Sequence, residues 1–106
     1  MFTVIRRYRL DEGDMDEVMH RVDSEFADPL SREPGFVAYE AIRSGADGLI
    51  TITTFTDEAG CERSTQRAAD FVRDELSHMK VTREDATSGE VSVSRAAREV
   101  LEPAHA

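Results

Sequence analysis

Between Glu33 and Phe55 the chain reads EPGFVAYEAIRSGADGLITITTF, two extended runs joined by a short turn containing glycine. In the second run Ile50, Ile52 and Thr54 alternate with Leu49, Thr51, Thr53 and Phe55, so neither face is fully polar. Successive side chains of a strand point to opposite faces, and a strand that is apolar on both faces is covered on both. Helices of the same chain can cover one face. A second copy of the chain is the simplest cover for the other. Residues 36–43 and 49–56 are therefore predicted as a hairpin around SGADG, whose glycines are free to take positive φ.

The remaining elements follow from periodicity. FTVIRRYRL, residues 2–10, alternates as a strand, with Phe2, Val4, Arg6, Tyr8 and Leu10 on one face. Asp14 can cap a helix with Glu17 three residues on, and Met15, Val18, Met19, Val22, Phe26 and Leu30 follow at helical spacing. Pro34-Gly35 ends that connection. Thr56 or Asp57 opens a second helix to about Met79, with Cys61, Ser64, Ala68, Phe71, Val72, Leu76 and Met79 as its inner stripe. KVTREDATSG is predicted as a loop and EVSVSR, residues 90–95, as the last strand. The order strand, helix, strand, strand, helix, strand is the α+β, ferredoxin-like βαββαβ pattern, an antiparallel sheet with both helices on one face. Residues 1–94 form one domain and 95–106 a tail.

Charge narrows the partners. The chain of 106 residues has a formal net charge of -9, the wrong sign for nucleic acid or an anionic membrane surface. No run approaches the roughly 20 apolar residues of a membrane span, and Arg6, Arg7 and Arg9 interrupt the N-terminus, so a cytoplasmic location is expected. The single cysteine, Cys61, has no partner for an internal disulfide, and no metal-ligand spacing occurs.

RRYRLDEGDMDEVMHRV at the start, PGFVAY opening the second strand and TFTDEAGCERSTQRAADFVRDEL through the second helix, in this order and spacing, resemble the antibiotic biosynthesis monooxygenase-like domains of the dimeric α+β barrel superfamily. The resemblance spans roughly residues 1–94. It implies a homodimer whose sheets pack face to face into a barrel, and a pocket between sheet and helices in each subunit. It further implies cofactor-free oxygenation of an aromatic or enolisable substrate, or haem degradation, or a domain with no catalysis that binds a metabolite or assembles with itself. The Asn and Trp side chains that active members use on their substrates have no counterpart, since the chain contains neither residue. No cofactor is expected.

Several residues carry candidate chemistry. His78 is the candidate general base or haem ligand, with an unperturbed pKa of roughly 6.5, or else a cation offsetting a helix dipole. Arg6 shares a strand face with apolar residues. If that face is buried, its charge either pairs with a carboxylate such as Glu40 or meets an anionic ligand. Tyr8 and Tyr39 suit an aromatic ligand or an ordinary half-buried strand. Thr51, Thr53 and Phe55 share one face of the third strand and would line the same pocket with Phe71 if that face meets the helices. Periodicity does not decide which face does.

Overall fold

The computed structural model describes residues 1–97. Its elements are β1 (Phe2–Glu12), a helix α1 (Met15–Arg21, continued through Val22–Ala27 and Asp28–Leu30), β2 (Phe36–Ser44), β3 (Gly48–Phe55), α2 (Glu58–Glu75) and β4 (Lys80–Glu90). The four strands form one sheet in the order β2-β3-β1-β4, antiparallel throughout. This is the ferredoxin-like arrangement, with both helices against one face. No helix among the described residues is long and apolar enough to cross a membrane.

The face left open by periodicity is now assigned. Val4, Arg6 and Tyr8 of β1 and Leu49, Thr51, Thr53 and Phe55 of β3 are all buried under the helices. The opposite face carries Ile5, Ile50 and Ile52, with Ile5 opposite Ile52 and the exposed Ile42 opposite Ile50. Glu40 pairs in register with Ile52 on that outer face, so it cannot be the counter-ion of Arg6.

Helix α1 starts at Met15, where Asp14 accepts a hydrogen bond from the Asp16 amide at 3.1 Å. The expected reciprocal bond from Glu17 does not form, because Glu17 turns to Arg21 and His78. The helix runs as α-helix over Met15–Arg21, as a π-helical turn over Val22–Ala27 and again as α-helix over Asp28–Leu30. Within the π turn the Asp28 amide reaches back five residues to the Asp23 carbonyl. The cause lies in the spacing of the buried residues Val18, Val22, Phe26 and Leu30. Each four-residue step overshoots a full α-helical turn by about 40°, so three steps would swing the stripe by about 120°. A turn wound with one extra residue takes up much of that drift.

Helix α2 is capped by Asp57, which accepts from the Gly60 amide at 2.8 Å. Gly60 is buried, and a Cβ at this position would fall against the Phe55 ring. The glycine is there because β3 and the first turn of α2 approach too closely for any side chain.

Two expectations require correction. The last strand is Lys80–Glu90, where a loop was expected, and residues 91–95 form no strand. β4 forms by pairing along β1 from Glu12↔Lys80 to Phe2↔Glu90, with nearly every residue exposed. The apolar alternation of EVSVSR finds no partner, because β1 begins at Phe2. The Val91 amide makes a bond to Met1, and Val93 is 81% exposed. Helix α2 also stops at Glu75 rather than near Met79, leaving His78 beyond it.

Candidate functional site

Between the sheet and the helices lies a cavity whose polar lining is Arg6, Tyr8, Tyr39 and Thr51, and whose apolar lining includes Val22, Phe26, Phe71, Val72 and Leu76. Its free volume is about 20 Å³. That is room for about one water as the side chains stand.

Arg6 dominates the site. It is 0% exposed and is the largest fully buried side chain in the described structure. One terminal nitrogen donates to Thr65 Oγ1 at 2.9 Å and the other to Thr53 Oγ1 at 2.9 Å. Its Nε has no partner, nor has the buried Thr51 hydroxyl in the next strand. Among the described residues Arg6 forms no ion pair, although the chain makes many elsewhere on its surface. A buried charge without a counter-charge is costly, so a guanidinium kept here by two neutral hydroxyls is short of one strong acceptor.

The aromatic side chains set the shape. Phe26, delivered by the π turn, packs on Tyr39 at 5.4 Å between ring centroids and on Phe71 at 5.5 Å, tilted in both cases. Burial pushes the Tyr39 phenol well above its ordinary pKa, with the nearby Arg6 charge pulling the other way. Tyr39 is therefore a protonated donor at neutral pH. The lining contains no carboxylate and no histidine, so the cavity can hold and stabilise a negative charge but offers no strong side-chain base.

Of the residues singled out from sequence, Arg6, Tyr8, Tyr39, Thr51 and Phe71 come together around this cavity. Thr53 lies behind Arg6 and holds it. Phe55 is fully buried at another part of the core, packed edge-on to Phe36 at 5.8 Å and against Gly60. His78 does not line the cavity. Its Nε2 lies 2.6 Å from Glu17 Oε2 with the side chain 47% exposed, a surface contact between the α2–β4 connection and α1. Val22, Phe26 and Val72 were expected only as core residues. The four-residue spacing that produces the π turn was the available signal for Phe26.

Comparison with known proteins agrees with this architecture. The sequence profile of the family described as antibiotic biosynthesis monooxygenase matches residues 1–85. None of the curated proteins matches the chain. Among solved structures, HapK from Hahella chejuensis is similar with a TM-score of 0.71 at 20% identity, over 92% of this chain and 99% of that one. SnoaB from Streptomyces nogalater, a cofactor-independent oxygenase, is similar with a TM-score of 0.66 at 19% identity, over 88% and 94%. A dimeric ferredoxin-like protein from an uncultured marine organism has a TM-score of 0.69 at 7% identity, over 91% and 98%. At these identities the likeness concerns the fold. With most of its length matched by the family profile, the chain belongs to the antibiotic biosynthesis monooxygenase family.

Proposed function

We propose that the protein is a homodimeric binding domain for a small aromatic or enolisable anion, held between sheet and helices with its charge on Arg6. The observation that carries this reading is the fully buried guanidinium, unpaired among the described residues and with an unsatisfied Nε, in the lining of an apolar cavity. A guanidinium fork fits a carboxylate or an enolate, and Tyr8 and Tyr39 add ring contacts and phenolic donors. The second subunit covers the outer sheet face through Ile5, Ile50 and Ile52. The dimeric assembly of a similar structure supports that arrangement.

Family membership and the likeness to a cofactor-independent oxygenase support a finer reading, oxygenation of the bound compound without cofactor. An ionised phenol or enol is electron-rich enough to react with oxygen itself. Arg6 would favour that ionised form, so the bound hydroxyl is acidified and loses its proton to water, not to a side-chain base. His78 has no part in this reading. The chain's lack of Asn and Trp favours binding without catalysis, and in either case an aromatic anion enters only as the side chains around the cavity move apart.

The test is a fluorescence titration with 1-hydroxy-2-naphthoate, an aromatic carboxylate, on the native protein and Arg6→Met, followed by oxygen uptake with anthrone, an enolisable aromatic ketone. Binding lost in Arg6→Met supports the site. Equal binding by both proteins removes Arg6 from it. Oxygen uptake above the spontaneous rate separates the enzyme from the binding domain. Sedimentation of Ile52→Glu as a monomer supports the interface, and an unchanged assembly excludes it.

A further inference from the structure

The cavity has to be reached from outside, and two surface grooves share walls with it. One lies between α1 and α2, and Phe26 and Phe71 separate it from the cavity. Its rim carries Glu25, Asp70, Asp74 and Glu75 against the single cation Arg67. The other lies between α2 and β4, and Tyr8 and Val72 separate it from the cavity. Its remaining walls are Ala69, Arg73 and Arg83, and its free volume is about 270 Å³, against about 20 Å³ in the cavity itself.

Charge distinguishes the two. In the first groove Glu25 and Glu75 face Arg21, Asp70 and Asp74 face Arg73, and Arg67 is held by Glu33 at 3.0 Å, so among the described residues it offers an anion no free cation. The second presents two guanidinium groups. Arg73 is offset by Asp70 and Asp74, at 3.2 and 2.9 Å. Arg83 forms no ion pair among the described residues and remains an uncompensated cation on the groove wall.

The backbone explains why an arginine stands there. The β1–β4 register runs Arg6↔Ala86 and Arg7↔Asp85, then shifts to Tyr8↔Arg83. Without the shift Tyr8 would face Glu84. The bulge removes Glu84, which pairs with Arg9 at 2.9 Å, and brings Arg83 beside Tyr8. Bulges commonly re-aim a side chain next to a binding site. Here one extra residue exchanges a carboxylate for a guanidinium beside the cavity wall.

We infer that the α2–β4 groove is the entrance to the cavity, that Tyr8 and Val72 form its gate, and that Arg83 selects anions at the mouth. The inference rests on the proposed binding of an anion at Arg6 and adds the route and a specificity-determining residue. The groove opens on the helix side of the sheet, opposite the outer face assigned to the partner subunit.

The experiment is stopped-flow fluorescence with 1-hydroxy-2-naphthoate on the native protein, Arg83→Glu and Ala69→Trp. Both substitutions are at exposed positions that do not line the cavity. Arg83→Glu is expected to slow association about threefold to tenfold at low salt, with dissociation unchanged and the difference shrinking as salt is added. Ala69→Trp is expected to slow association and dissociation by one common factor, leaving the equilibrium constant alone, as a plugged passage does. If the native protein binds the probe and neither variant alters its rates, the entrance is elsewhere and the Arg6 site stands. If the native protein does not bind it, the anion site and its entrance fall together.

Discussion

Replacing Arg6 by methionine tests the central argument, because binding should be lost without a loss of stability. The guanidinium donates two hydrogen bonds, to Thr53 and Thr65, both at 2.9 Å. Bonds from a charged donor count about 1.5–3 kcal/mol each, so roughly 3–6 kcal/mol is lost with them. Thr65 keeps its bond to the Cys61 carbonyl, so only Thr53 is stranded. On the other side stands the cost of holding an ion out of water without a counter-charge, several kcal/mol even after relaxation. Methionine also fills the space with apolar atoms, at about 0.8 kcal/mol per methylene. The two sides are of similar size, and exchanging buried ionic groups for packed apolar side chains is commonly neutral or stabilising by about 1–4 kcal/mol. Arg6→Met is therefore expected to leave Tm unchanged or to raise it, by about 4 °C or more for each kcal/mol gained in a domain of this size. Thr53→Val on the Arg6→Met background should raise Tm above that of Arg6→Met, since it removes the stranded hydroxyl. Thermal unfolding followed by circular dichroism, alongside naphthoate titration, reads both quantities. An unchanged or higher Tm with lost binding is the pattern of a residue retained for a ligand and not for stability. A Tm lowered by 4 °C or more would refute the reasoning and make Arg6 a structural cross-link between β1, β3 and α2.

Other positions give independent checks. Gly60→Ala, which in an ordinary helix would stabilise, should destabilise here by about 1–3 kcal/mol because the methyl meets the Phe55 ring, as denaturant unfolding would show. The Cys61 thiol donates to the Phe2 carbonyl at 3.1 Å and burial raises its pKa, so it should react with an aromatic disulfide at pH 8 only after denaturation. Hydrogen bonds from His78 and then Arg21 hold the Glu17 carboxyl below its usual 4.5. Its contribution to stability is therefore present above that pH and lost as pH falls through the lower native value, and Glu17→Gln should remove that part of the acid dependence in pH-resolved melts.

Much of the fold was legible in the sequence. The hairpin between β2 and β3, the cap at Asp14 and the faces of both helices follow from alternation or helical spacing, and of Thr56 and Asp57 it is Asp57 that caps α2. β4 was not legible, because an exposed edge strand needs no apolar alternation. It needs an unpaired neighbour of the right length, which β1 supplies between Phe2 and Glu12. The converse held at Val91–Arg95, where alternation was present and the neighbour was not. Arg6 was identifiable as a charge on an apolar strand, but its burial depended on which face the helices chose, and β1 and β3 carry apolar residues on both. The cavity's dependence on Phe26 and Val72 was hidden for a different reason. Residues that line a pocket inside a core have the same spacing as residues that fill one.

The π turn at Val22–Ala27 has a consequence for how this chain relates to others. Such a turn is a helix carrying one residue more than its ends require. The residues before it are anchored by Val18 and those after it by Leu30, both almost fully buried. A relative with an uninterrupted α-helix between the same anchors should therefore be one residue shorter between Asp14 and Pro34, and the gap in any correct alignment belongs inside 22–27. Placed elsewhere, the gap would turn a polar residue of one chain onto the sheet of the other. Where relatives lack that extra residue, their counterpart of Phe26 should be turned away from the cavity, and a pocket of different shape should follow from a single deletion.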